Sequence, residues 1–269
     1  MRFLKMHGLG NDFVILDHRK TGGKLAPEAI RSISDRHKGV GCDQLIVMEA
    51  TDKADFFMRI YNPDSSEAEA CGNATRCVAD IFIKESGKES CTIETLRGLL
   101  SARKVGDLVE VDMGEPQLGW KDIPLAREID TLSLPIAEGN LPEPVAVGMG
   151  NPHCVFFVKD ISDIDIPKWG PHYEHHRYYP KRTNVEFAQV LGDNVIRLRT
   201  WERSSGMTLA CGSATCATIV AAVRRNLIKG RKAEILTDGG KMYLEWRESD
   251  GHVLMTGPVS YVFEGEFKN

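Results

Sequence analysis

The sequence predicts an α/β protein of the α+β type: two pseudo-symmetric domains, each a curved, mostly antiparallel sheet around a central helix, with an active site at the domain interface. Three observations predict it. The hexapeptide Ala70-Cys71-Gly72-Asn73-Ala74-Thr75 is matched by Ala210-Cys211-Gly212-Ser213-Ala214-Thr215, five identities in six at an interval of 140 residues (71 to 211). The same interval lays Gly8-Leu9-Gly10-Asn11 on Gly148-Met149-Gly150-Asn151, and two glycine motifs in one register mark a duplication. Strand-like runs outnumber helical ones in both halves, and few of them alternate as a doubly wound sheet requires.

Each element has a local reason. After the Gly-x-Gly-Asn turn, Phe13 to Leu16 and Cys154 to Val158 are bulky and β-branched, as strands should be. Pro27 opens a helix to Arg36, proline being suited to a first helical position. Further strands are expected at Gln44 to Met48, Phe56 to Tyr61, Gly98 to Val105 and Leu108 to Val111, and again at Val185 to Val190, Val195 to Trp201, Ala233 to Leu236 and Met242 to Trp246. Each Cys-Gly motif opens a helix. Ala74, Cys77, Val78, Ile81 and Phe82 fall at helical spacing, and Ala214 to Val223 is small or apolar nearly all round, as in a helix enclosed by its own domain. Gly114 to Leu141, rich in proline, glycine and acidic residues, reads as the crossing segment, giving domains 1–114 and 115–257.

Composition narrows the function classes. A chain of 269 residues with 42% hydrophobic and 27% charged residues has material for two cores, and is neither disordered nor collagen-like. With 34 Lys+Arg against 38 Asp+Glu the net charge is −4, so no basic footprint points to nucleic acid or an anionic membrane. No apolar run approaches the ~18 residues of a membrane span, and Met1-Arg2-Phe3-Leu4-Lys5 does not begin a signal peptide, so a cytoplasmic location is expected. The seven cysteines, an odd number, cannot all pair within one chain.

Cys71 and Cys211 stand where chemistry is favoured. Unpaired N–H groups and the positive dipole end at a helix start stabilise an anion, which can lower a thiol from about 8.5 to within about 3.5 to 7.5 and make it a usable base. The glycine after each cysteine admits a ligand close to the backbone, and the exposed N–H groups offer a carboxylate nest. Two such thiols on opposite sides of an α-carbon suit inversion of a stereocentre, one removing a proton and the other supplying one. The enolate-like carbanion would be stabilised by N–H groups aimed at its oxygens.

A single buried cysteine is most often inert, and Cys42, Cys77, Cys91, Cys154 and Cys216 are read as packing. The 140-residue interval also pairs Asn11 with Asn151, Gln44 with Asn184, and Asn62 with Glu202. These residues are either turn and surface amides or ligand contacts, and their matched placement favours the latter. Arg203 suits a second substrate carboxylate, and His153 suits the moving of a thiol proton, although a lone histidine near a strand start is commonly structural. His172-Tyr173-Glu174-His175-His176-Arg177-Tyr178-Tyr179 fits no zinc pattern and reads as a solvated loop. No P-loop or convincing Gly-x-Gly-x-x-Gly is present, so no cofactor and no metal are expected.

Nearly end to end, the chain resembles the diaminopimelate epimerases. The resemblance rests on Lys5-Met6-His7-Gly8-Leu9-Gly10-Asn11-Asp12-Phe13, Gly39-Val40-Gly41-Cys42-Asp43-Gln44, Tyr61-Asn62-Pro63-Asp64, Cys71-Gly72-Asn73-Ala74-Thr75-Arg76-Cys77, Met149-Gly150-Asn151-Pro152-His153, Thr183-Asn184-Val185-Glu186-Phe187, Trp201-Glu202-Arg203 and Ala210-Cys211-Gly212-Ser213. It implies a pyridoxal-independent isomerase of lysine and peptidoglycan synthesis, interconverting LL- and meso-diaminopimelate, with Cys71 and Cys211 as the acid/base thiols. Gly72, Asn73, Gly212 and Ser213 would cradle the reacting carboxylate, while Asn11, Gln44, Asn62, Asn151, Asn184, Glu202 and Arg203 would bind the substrate's other groups. His153 and Glu202 would assist thiol deprotonation. A last strand, 258–269, would return to the first domain, and a homodimer is common in the family.

The chain departs from the pattern at Ser204-Ser205-Gly206-Met207-Thr208, where Gly-x-Gly-x-Thr is usual, and at Cys42, Pro63, Ala74, Cys216 and Phe263. A two-cysteine racemase of another amino acid and a thiol redox or metal-binding protein both remain open to the residues alone.

Overall fold

A computed structural model describes residues 1–268. The chain forms two compact units, Met1–Asp112 together with the chain from Thr256 on, and Met113–Met255. In the first, β1 (Arg2–Gly8) and β2 (Asn11–Asp17) form an antiparallel hairpin, followed by α1 (Pro27–Ser34). Strand β3 (Gln44–Glu49) lies parallel to β2, and β4 (Phe56–Tyr61) antiparallel to β3. The short β5 (Glu67–Ala68) pairs with the end of β4 and leads to α2 (Gly72–Ser86). After α2, β6 (Ser90–Thr95) returns parallel to β4, and β7 (Gly98–Val105) and β8 (Leu108–Asp112) extend the sheet antiparallel.

The second unit repeats this order with β9 (Val145–Gly148), β10 (Pro152–Phe157), α3 (Ile166–Glu174), β11 (Asn184–Gly192), β12 (Val195–Glu202), β13 (Gly206–Thr208), α4 (Gly212–Arg224), β14 (Lys232–Thr237) and β15 (Gly240–Trp246). Pairing is reproduced residue by residue. Phe13 faces Gln44 as His153 faces Asn184, and Leu45 faces Tyr61 as Val185 faces Trp201. The chain then passes through β16 (Val253–Gly257) to β17 (Ser260–Glu266), which pairs antiparallel with β1. Register is set by which face each strand must bury, so the shared pairing follows from the shared apolar pattern.

Each sheet curls over its helix. Helix α2 packs on β1, β6, β7 and β8, and α4 on β9, β10, β11 and β15. Every residue from Gly72 to Ile81 is buried, as are Gly212 and all residues from Ala214 to Ala222. This is why α4 carries apolar side chains on all sides rather than a stripe. Gly87, at φ 71°, closes α2 in the left-handed conformation that glycine adopts without strain. Among the described residues no helix is long and apolar enough to cross a membrane.

Two expectations are corrected. The segment from His172 to Tyr179 is not a solvated loop: it is the end of α3 and the turn after it, with Tyr173, Tyr178 and Tyr179 buried. The Tyr173 ring lies 4.5 Å from that of Phe156, so its aromatic content belongs to a core. The stretch from Gly114 to Leu141 is more than a connector, because Ile123, Leu125, Leu134, Ile136 and Leu141 join that same core with Trp169, Phe156 and Phe187. Strands β1, β9, β16 and β17 lack a clean alternation to reveal them, whereas β6 does alternate, burying Cys91, Ile93 and Thr95 between more exposed residues, and is missed by the sequence reading all the same.

Phe156 is fully buried and stacks on Phe187 at 5.6 Å. Phe156→Ala is expected to destabilise the second unit by about 3–5 kcal/mol, read as a lower urea midpoint at unchanged slope.

Candidate active site

In the first unit the β1–β2 hairpin reaches the start of α2. Leu9 and Gly10 both have positive φ, 57° and 88°, the requirement of a two-residue turn matched to strand twist. A Cβ on Gly8 would stand 3.0 Å from Arg76 Nη2 and 3.3 Å from Asn73 Cβ, so a side chain there would crowd the approach of the turn to the helix. Asn11 is thereby placed over the first turn of α2. Its Oδ1 accepts from Asn73 Nδ2 at 3.2 Å and from the Cys71 thiol at 3.7 Å. Cys71 is the N-cap residue, in extended backbone and half-buried. Its carbonyl accepts from both the backbone N–H and the hydroxyl of Thr75, each at 2.9 Å.

Asn11 is held by charge. Its Nδ2 donates to Asp43 Oδ2 at 3.0 Å, and Arg36 Nη2 donates to Asp43 at 2.7 Å and to Asp12 at 2.6 Å. Lys5 Nζ donates to Asp12 and to the Gly41 carbonyl. Burial raises the Asp12 carboxyl, but the hydrogen bonds and charges of Arg36 and Lys5 outweigh it and hold the group well below the usual carboxylate range. Separately, Gln44 Nε2 donates to Asn62 Oδ1 at 3.2 Å, linking the starts of β3 and of the turn after β4.

The second unit builds its site on the same backbone with different chemistry. Cys211 caps α4 and is buried, its Sγ 3.5 Å from Ser213 Oγ. Asn151 Nδ2 donates to Ser213 Oγ at 3.3 Å, and Asn151 Oδ1 lies 3.0 Å from His153 Nε2. The other ring nitrogen, Nδ1, lies 2.7 Å from Glu186 Oε1. Asn184 donates to the Pro152 carbonyl at 3.1 Å and accepts from the Arg203 backbone N–H at 2.9 Å, which ties the Glu202-Arg203 turn to β11. Thr208 Oγ1 donates to Glu202 Oε1 at 2.6 Å.

Burial reverses the acidity expected of Cys211. The Ser213 hydroxyl and Ala214 N–H favour the thiolate, as a helix start should, yet burial and then the Glu202 carboxylate outweigh them and push the thiol well above its ordinary value. The Cys211 thiol is thereby held toward its protonated form. Burial also pushes Cys77 and Cys91 up to about 12, which leaves them unreactive. Cys42, Cys154 and Cys216 are buried as well.

Thus Asn11, Cys71, Gly72 and Asn73 share one cluster, Gln44 and Asn62 a second, Asn151, His153, Cys211, Gly212 and Ser213 a third, and Asn184 joins the turn carrying Glu202 and Arg203. Two contributors escaped sequence reasoning. Glu186 lies inside a strand whose whole first half is buried, so no alternation marks it. Glu174 is buried, accepts from Trp201 Nε1 at 2.7 Å and from the Ser204 N–H at 3.1 Å, and so steadies the turn after Arg203. That bond holds Ser204 at φ 67°, a left-handed position where glycine was expected.

The duplicated α/β fold, with a cysteine capping each central helix, is that of an epimerase. Solved structures sharing the fold include a phenazine biosynthesis protein of the PhzF family from Bacillus anthracis (TM-score 0.71, 18% identity, 100% of this chain and 99% of that one). Another is a hydroxyproline epimerase from Agrobacterium vitis (TM-score 0.69, 14% identity, 98% and 91%). The family model described as diaminopimelate epimerase matches residues 3–119 and 145–262, and the chain belongs to that family. Its relatives include proteins named diaminopimelate epimerase from Acidiphilium cryptum, 57% identical over 98% of this chain and 95% of the relative, and from Rhodospirillum centenum, 55% identical over 98% and 91%.

Asp12→Asn is expected to lower stability at pH 7 by about 1–3 kcal/mol. Because the folded carboxyl is depressed below 3.8, its contribution is complete above that pH and is lost as pH falls below it. The gap between wild type and variant in thermal melts should therefore narrow in acid.

Proposed function

We propose that the chain interconverts LL- and meso-diaminopimelate by proton exchange at one α-carbon, with Cys71 and Cys211 as the two acid/base thiols. The observation that carries this is the repeated placement of a thiol at the N-cap of a buried helix, beside an asparagine-bearing glycine turn, in a chain 57% identical to a protein named for this activity. One cysteine as thiolate takes the α-proton, the C–H electron pair moves into the carboxylate as an enediolate, and the other thiol returns a proton to the opposite face. The thiols exchange roles with reaction direction. Cys211, kept protonated by burial, enters as donor.

The backbone N–H groups of Gly72, Asn73, Gly212 and Ser213 meet the developing charge on the reacting carboxylate. Asn11, Gln44, Asn62, Asn151, Asn184, Glu202 and Arg203 bind the amino groups and the distal carboxylate, Arg203 supplying the counter-charge. His153 and Glu202 assist proton movement at Cys211. This reading assigns the enzyme to lysine and peptidoglycan synthesis and to the cytoplasm. Tyr261, Val262 and Phe263, each about half exposed on β17 (47%, 53% and 50%), support a homodimer contact.

The test is α-deuterium incorporation from deuterated water into LL-diaminopimelate, with other L-amino acids as controls. Wild type should exchange and epimerise diaminopimelate alone. Cys71→Ala and Cys211→Ala should each lower epimerisation by at least about 10²- to 10⁴-fold while circular dichroism stays native. Full activity in either variant rejects the scheme, and exchange only on another amino acid reassigns the substrate.

A further inference from the structure

Proceeding from the role given above to Cys211, we propose that Glu186 is a positioning residue that acts as a neutral acid. It fixes His153 as the Nε2–H tautomer and so aims a chain of hydrogen-bond donors at Cys211 Sγ.

The chain runs through four hydrogen-bonded contacts. Glu186 Oε1 lies 2.7 Å from His153 Nδ1, and His153 Nε2 lies 3.0 Å from Asn151 Oδ1. Asn151 Nδ2 donates to Ser213 Oγ at 3.3 Å, and Ser213 Oγ lies 3.5 Å from Cys211 Sγ. Each link fixes the next. Because Asn151 presents its carbonyl oxygen to Nε2, that nitrogen must carry a proton. Because Ser213 Oγ accepts from Asn151, its own proton is free to point at Sγ. With the proton on Nδ1 instead, Nε2 would need a donor, the amide would turn over, and Ser213 would donate to the amide oxygen rather than to sulfur.

Glu186 decides between these two states. Both it and His153 are fully buried, and Glu186 Oε2 has no hydrogen-bond partner. A carboxylate with an unpartnered oxygen in such a site is costly, whereas a carboxylic acid can donate through Oε1 and leave only a carbonyl oxygen unpaired. Burial, with the Glu202 charge behind it, raises the group in the same direction and outweighs the lowering by His153 and by the Cys154 backbone N–H. Donation into Nδ1 leaves that nitrogen bare and the proton on Nε2.

The duplication shows that packing does not demand this pair. The positions occupied by His153 and Glu186 in β10 and β11 are those of Phe13 and Ile46 in β2 and β3, at the same 140-residue interval and the same strand register. Phe13 and Ile46 are fully buried too. One copy fills the site with apolar side chains, and the other replaces them with an imidazole and a carboxyl group that needs a partner. In the first copy Asn11 presents its acceptor oxygen to the thiol, while in the second Asn151 presents its donor to Ser213, which lies against the thiol. Donors aimed at Cys211 stabilise the thiolate that forms when it releases its proton, which burial otherwise opposes.

The test combines nitrogen NMR of histidine-labelled protein with kinetics on LL-diaminopimelate for wild type, Glu186→Gln and Glu186→Leu. In wild type a bare Nδ1 and a protonated Nε2 are expected at His153. Gln can donate to Nδ1 in place of the acid, so E186Q should keep the tautomer and a kcat within about threefold of wild type. E186L should lose the tautomer bias and lower kcat by about 10- to 100-fold with KM little changed, since Glu186 does not touch substrate. Protons on both nitrogens in wild type, an unimpaired E186L, or an E186Q as damaged as E186L would each overturn the proposal. The wild-type NMR result and the isosteric E186Q keep the test decisive if E186L fails to fold. Absence of α-deuterium exchange in wild type would instead reject the underlying function, so the two failures are distinct.

Discussion

The first turn of each central helix is where the structure is most constrained. A helix enclosed by its own sheet brings its unpaired N–H groups and its dipole end into a region with little water, so whatever caps it must be chosen for chemistry as much as for stability. Here the cap is cysteine in both units, with extended backbone at Cys71 and Cys211 and the next carbonyl-bonded turn closed by Thr75 and Thr215. The hairpin before each helix has to approach that turn closely. Gly8 meets this requirement in the first unit, where any Cβ would press on Arg76 and Asn73.

Burial sets the acid–base behaviour more than the helix dipole does. At Cys211 the local donors pull toward thiolate, and desolvation with the charge of Glu202 pulls harder toward thiol. A thiol held protonated in this way gives up its proton reluctantly, so it can act as a donor only if something stabilises the anion once the proton has left. Ser213, Asn151 and His153 form a hydrogen-bonded route from the sulfur into the sheet of the second unit. The charged cluster of Lys5, Asp12, Arg36 and Asp43 has a different task, holding Asn11 in place over Cys71.

Duplication gave the two units one backbone and let their polar interiors diverge. Strand pairing is retained through β13, while Phe13 and Ile46 are replaced by His153 and Glu186, and Asn73 by Ser213. Inversion of a carbon needs two groups of the same kind, but those groups work at different moments as donor and acceptor. Equivalent positions with opposite hydrogen-bond polarity meet that need more directly than perfect symmetry would.

Sequence alone determined the duplication, the strand-rich domains, the two capping cysteines and the family, because these depend on local pattern and fixed spacing. A 140-residue interval survives any folding, and a Cys-Gly step before an apolar helix reads the same in one dimension as in three. Tertiary structure decided what burial decides. It turned the aromatic stretch near Tyr173 from loop into core, pushed the Cys211 thiol toward its protonated form, and brought Glu186 and Glu174 beneath the residues they support. None of these follows from spacing, since desolvation and long-range hydrogen bonds depend on which strands lie side by side, and that is known only once the chain has folded.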